Sequence, residues 1–182
     1  SNMGIILKQV GRDKEAIDDY SKAEKIYLQL GDEALPNLAT LYINLGFLYI
    51  QNGDFNTALT YLENSKTIFE KVNQSNSSNY LTLLLNLTTA YTQLKRYDDA
   101  FNIVKELKRS NSVFSLLSYY ESTGYIFTKM EKYSAALKNL FLAYNYGRNN
   151  LGKDFYHEEV ILSNIGIAYL NENQYDSALV YF

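Results

Sequence analysis

The chain has 182 residues and a formal net charge of −3, so it carries no general attraction for phosphate backbones or anionic lipid. The absence of Cys excludes disulfide frameworks and thiolate zinc sites, and no apolar run approaches the ~18 residues needed to span a bilayer. A hydrophobic fraction of 47%, with 18 Tyr and 9 Phe against one Pro, points to helices around a continuous apolar core.

Taken in order, the chain enters near Met3-Gly4, late in a first helix, turns at Arg12-Asp13 and continues into a second helix that carries Ala16. After Gly31-Asp32 a new helix is expected, with Pro36 in its first turn, where backbone amides are unbonded in any case. The stretch from Leu41 to Leu62 then sets the pattern for the rest. Tyr42, Leu45, Gly46 and Tyr49 fall on one helical face, Asn52-Gly53-Asp54 breaks the helix, and Phe55, Ala58 and Leu62 mark a second helix. Its small residue between large apolar ones lets two helices approach closely. The pattern returns. Ala16, Ala58, Ala100, Ala136 and Ala178 are spaced 42, 42, 36 and 42 apart. The first helices of successive copies read Leu45–Tyr49, Leu87–Tyr91, Thr123–Phe127 and Ile165–Tyr169. Loops are expected at Gln74–Asn79, at Ser110-Asn111-Ser112 and at Asn149–Asp154.

These motifs resemble the tetratricopeptide repeat family, whose signature is a bulky residue, Leu-Gly and Tyr on helix A, and Ala followed by a large apolar residue on helix B. The best copy carries Tyr42, Leu45, Gly46 and Tyr49 with Ala58 and Leu62; the last carries Leu162, Ile165, Gly166 and Tyr169 with Ala178 and Phe182. Thr88 replaces the Gly in the third copy and Phe127 the Tyr in the fourth. The resemblance implies an all-α fold, a right-handed α-solenoid of antiparallel helix pairs. It implies a single array over 1–182, with units near 3–36 (partial), 37–78, 79–112, 113–154 and 155–182 (partial). The long units resemble those of kinesin light chains and of bacterial sensor and regulator proteins. Ser1-Asn2 reads as the remnant of an expression tag, and the array as part of a longer protein.

Most chemistry-bearing residues have structural explanations. His157 lacks partners for a metal site or a nucleophile relay and reads as a surface residue beside Glu158 and Glu159. Asp18-Asp19 and Asp98-Asp99 suit the dipole at the start of B helices better than acid–base catalysis. Lys95, Arg96, Lys105, Lys108 and Arg109 read as a solvated basic face. No catalytic centre, cofactor or metal site is expected. One constellation stands apart: Asn44, Asn86, Ser122 and Asn164 each precede the signature Leu or its equivalent. In peptide-binding relatives this position faces the concave groove, and its amide bonds the backbone of an extended peptide. The resemblance therefore implies a groove formed by these four residues with Ile43, Phe47, Leu85, Thr89, Glu121, Tyr125 and Ile167. The expected role is a non-catalytic scaffold for a protein or extended peptide, within a larger bacterial protein, with end-to-end self-association through an apolar face including Ile165, Leu179 and Phe182. Alternatives are the sensor region of a transcriptional regulator or histidine kinase, and a structural spacer.

Overall fold

The computed structural model describes residues 2–75, 77–109, 112–153, 155 and 157–182, with side chains from Glu15 onward. Its helices are α1 (Asn2–Leu30), α2 (Leu35–Gln51), α3 (Phe55–Lys71), α4 (Ser78–Gln93), α5 (Tyr97–Arg109), α6 (Val113–Lys129), α7 (Tyr133–Leu151), α8 (Glu158–Asn171) and α9 (Tyr175–Tyr181), and no strand occurs among the described residues. The fold is all-α, built from antiparallel helix pairs of the solenoid type, in which α2, α4, α6 and α8 are A helices and α3, α5, α7 and α9 the B helices that follow them. It forms two compact units, one ending at Ala90 and the other starting at Tyr91.

One turn geometry closes every A helix. The second residue after the helix takes left-handed backbone, with φ 77° at Gly53, 59° at Lys95 and 60° at Glu131 and Asn173. The next N–H then reaches back five residues, from Asp54 to Tyr49, Arg96 to Tyr91, Lys132 to Phe127 and Gln174 to Tyr169, each at 2.9 Å. This is the Schellman closure, which satisfies carbonyls that the helix end would leave unbonded. The carbonyl of the signature aromatic therefore ends the A helix, and in the second and fifth copies its ring also stacks on the B helix, Tyr49 on Tyr61 and Tyr169 on Tyr181.

Helix pairing rests on small residues. Ala58, Ala100 and Ala136 are fully buried and Ala178 nearly so, as the 36- and 42-residue spacing predicts. In the first unit, Leu38, Leu41, Tyr42 and Leu45 form a core flanked by Tyr20, Tyr27, Tyr49 and Tyr61. Tyr42 also donates to Glu24 at 2.8 Å, tying α2 to α1, and burial raises its phenol to a pKa of about 12. Ser65 of α3 donates to the Ala39 carbonyl of α2 at 2.8 Å, a buried polar atom satisfied at the helix crossing. In the second unit the core is Leu117, Leu140, Ala143, Phe155, Ile161, Ile165 and Ala168.

Several boundaries differ from the sequence reading. The turn expected at Arg12-Asp13 is absent, because α1 runs unbroken from Asn2 to Leu30. A glycine inside a helix costs only about 1 kcal/mol relative to alanine, and position 13 is Asp where the later turns are followed by Phe or Tyr. At Gly31–Ala34 the chain makes a 3-10 turn, so α2 starts at Leu35 rather than near Asp32. The loop expected from Asn149 starts at Gly152, since α7 continues through Leu151. Of the turn at Ser110-Asn111-Ser112, the first two residues lie outside the described residues, as do Asn76 and Asp154 in the two longer loops. Ile165 is fully buried, whereas Leu179 and Phe182 are exposed.

Candidate functional site

The groove residues expected from the sequence sit on A helices, and their exposure differs sharply. In the first unit, Asn44 of α2 is exposed and Phe47, one turn further, is 49% exposed. Asn86 of α4 is half-buried, and its amide nitrogen is closed off from solvent with no hydrogen-bond partner. These two helices lie side by side, joined on this face by a hydrogen bond from Asn79 to the Thr40 hydroxyl at 3.1 Å. Thr40 precedes Asn44 by four residues and Asn79 precedes Asn86 by seven, so all four share the face that the 3.6-residue period predicts. Leu85 and Thr89 are half-buried beside them, the Thr89 hydroxyl donating to the Leu85 carbonyl at 3.0 Å. Ile43, by contrast, is only 4% exposed and serves the core.

The second unit fills its part of the A-helix face with its own side chains. Ser122 is buried, and Asn164 is half-buried beside a more exposed Ile167. Tyr125 accepts a hydrogen bond from Gln93 at 2.7 Å and lies 5.7 Å below the Lys129 ammonium. Burial raises the Tyr125 pKa, and the Gln93 bond partly offsets the rise. Glu121 faces His157 at 3.6 Å. The sequence reading placed His157 on the surface. Instead it caps α8 in left-handed backbone, φ 84°, half-buried, and hydrogen bonding to Glu121 raises its pKa against the opposing effect of burial. Its neighbour Glu158 is buried and paired with Arg148 at 2.6 Å. No sequence spacing announces either pair, since Glu121 and His157 meet only when α6 and the segment before α8 pack together.

Two of the basic residues of the third copy, Arg96 and Lys108, are engaged by neighbouring side chains. Arg96 pairs with Asp99 at 2.8 Å and stacks over Tyr91, and Lys108 lies 5.3 Å over the Tyr119 ring. Among the described residues there is no group of three His, Asp or Glu side chains that could hold a metal ion, and no helix is long and apolar enough to cross a membrane.

A family model for the tetratricopeptide repeat matches residues 1–63 and 37–108, more than half of the chain. No curated protein matches the sequence. Among solved structures, the fold is similar to that of BtubC (BKLC) from P. vanneervenii, with a TM-score of 0.65 and 20% identity over 90% of this chain and 70% of that one. It is also similar to a Podosopora anserina protein assigned as a kinesin light chain with nearly identical TPR-like repeats. That structure gives a TM-score of 0.70 and 16% identity, covering 99% of this chain and 88% of the other. At such identities the likeness is one of fold.

Proposed function

The chain belongs to the tetratricopeptide repeat family, and from that premise we propose that it is a non-catalytic scaffold whose A-helix groove in the first unit holds an extended segment of a protein partner. The observation that carries this reading is the Asn86 amide nitrogen, buried without an acceptor, on the same face as exposed Asn44. A buried donor without a partner costs about 1–3 kcal/mol, and a turn of the Asn86 side chain toward the groove would bring it to a peptide carbonyl laid along this face. A carboxamide both donates and accepts, so it can pair with a peptide group whatever side chains the partner carries. Phe47, Leu85 and Thr89 would then set which side chains fit beside it. In the second unit the side chains of Gln93 and His157 already occupy the face of α6, which leaves Asn164 and Ile167 as its available groove positions. The scaffold would serve as the partner-binding region of a larger bacterial protein.

The test begins with a peptide-array screen of the intact chain, followed by the Asn44→Ala/Asn86→Ala double variant. Each lost side-chain hydrogen bond is worth about 0.5–1.5 kcal/mol, so affinity is expected to fall between about five-fold and more than a hundred-fold. Array ligands that bind the double variant as tightly as the wild type would place recognition on another surface.

A further inference from the structure

On the B-helix side of the second unit, α5, α6 and α7 line a cleft of about 620 Å3. Its floor is aromatic, formed by Phe101, Tyr119 and Phe127, all half-exposed. Comparison of the repeats explains why it is open. In the second repeat the signature Tyr49 stacks on Tyr61, twelve residues on, with ring centroids 5.6 Å apart and planes 8° from parallel. In the fifth repeat Tyr169 stacks on Tyr181, again twelve residues on, at 5.7 Å and 22°. The fourth repeat has Phe127 at the signature position, and twelve residues on stands Asn139. Its side chain folds back onto its own helix, donating to the Ala135 carbonyl at 2.9 Å, and gives Phe127 no stacking partner from α7. Phe101 of α5 reaches Phe127 only in a tilted arrangement, at 5.3 Å and 54°.

We propose that this cleft is a second binding site, which takes an aromatic side chain from a partner polypeptide and stacks it where the second and fifth repeats place their own tyrosine. The rim states what flanks that ring. Asp98 and Lys105 stand on the cleft-facing side of α5, seven residues and therefore roughly 10 Å apart, with Asn102 between them. In an extended peptide, residues two positions either side of the aromatic share its face and are about 13 Å apart. A basic residue at one of these positions and an acidic one at the other meet the two rim charges. The site is independent of the A-helix groove, because its residues lie on B helices and on the opposite side of α6.

The chain contains no Trp, so the emission of a peptide tryptophan reports binding without background. The probe is the capped pentapeptide Lys-Ala-Trp-Ala-Glu and its reversed-charge partner Glu-Ala-Trp-Ala-Lys, titrated with the whole chain. One of the two orders is expected to give a saturable blue shift of the indole emission. Asn139→Tyr, which restores the internal stacking ring, is expected to weaken that binding at least ten-fold while raising the melting temperature. Lys105→Glu, a surface change, is expected to weaken it several-fold, and exchanging the peptide's acidic residue for lysine to recover the loss. The proposal is overturned by the absence of a saturable shift at millimolar peptide, or by unchanged affinity in both variants. It is also overturned if N-acetyltryptophanamide binds as tightly as the pentapeptide, which would make the cleft a site for free aromatic compounds. Loss of binding in Asn44→Ala/Asn86→Ala with retention in Asn139→Tyr would move the peptide to the A-helix groove.

Discussion

Gly46 leaves no room for a methyl group: a Cβ there would lie 2.5 Å from both Cγ and Cδ2 of Leu62. Sixteen residues separate this pair, as they separate Gly124 from Leu140 and Gly166 from Phe182, where the same crowding recurs. The glycine is thus read as the space its partner's side chain requires. Gly46→Ala should cost about 1–3 kcal/mol through overpacking, and Leu62→Val in the same chain should recover part of it. Urea midpoints of the two single variants and the double variant check this; additive losses would show that the two residues do not share the space. A second residue-scale prediction concerns His157. Its proton is held more tightly in the folded chain through Glu121, so the contribution is full below the ordinary value of 6.5 and disappears as pH rises through the raised one. Stability should therefore fall across that window in the wild type and change less in Glu121→Gln, as read by denaturant midpoints at a series of pH values. Equal slopes in the two proteins would show that the pair is energetically silent.

At the scale of elements, the turn after α2 differs from its counterparts in two residues. Gly53 takes left-handed backbone without a Cβ penalty, and Asp54 caps α3 by accepting from the Thr57 N–H at 3.1 Å. The turn before α7 puts Glu131 in the left-handed position and Lys132 at the cap, with no side-chain bond to the helix. Installing the better pair, Glu131→Gly with Lys132→Asp, should stabilise the chain by about 1 kcal/mol or more, mostly through the cap. A thermal melt that fails to rise would mean that this turn is not where the second unit yields first. The sequence makes these turns visible because polar residues interrupt a periodic apolar face, and it makes the helix pairs visible because the alanines repeat at fixed intervals. It does not reveal that α1 continues through Arg12-Asp13, since neither residue bars a helix and Gly11 before them costs only about 1 kcal/mol relative to alanine. The groove is legible only in part. The spacing puts Asn44 and Asn86 on one face, but the burial of Ile43 and the capture of Tyr125 by Gln93 arise from neighbouring helices that no local pattern encodes.

At the scale of the whole molecule, α9 ends in an apolar surface on which Leu179, Val180 and Phe182 are 75%, 77% and 68% exposed. Large apolar side chains clustered on one short helix favour association. Concentration-dependent self-association is expected, and Leu179→Glu with Val180→Lys should shift it toward monomer in sedimentation velocity. A wild-type chain that stays monomeric at high concentration would show that this face needs a different cover. The repeat pattern has one more consequence, for how the chain acquires its structure. The side-chain bonds that join separate helices are short in sequence: 18 residues from Tyr42 to Glu24, 26 from Ser65 to Ala39, 39 from Asn79 to Thr40. Closing such small loops loses little entropy, so the search for native pairing is local and quick, in the microsecond-to-millisecond range typical of helical chains of low contact order. Ordering can begin at any helix pair and spread to its neighbours, and a chain still emerging from the ribosome can already fold the repeats it has.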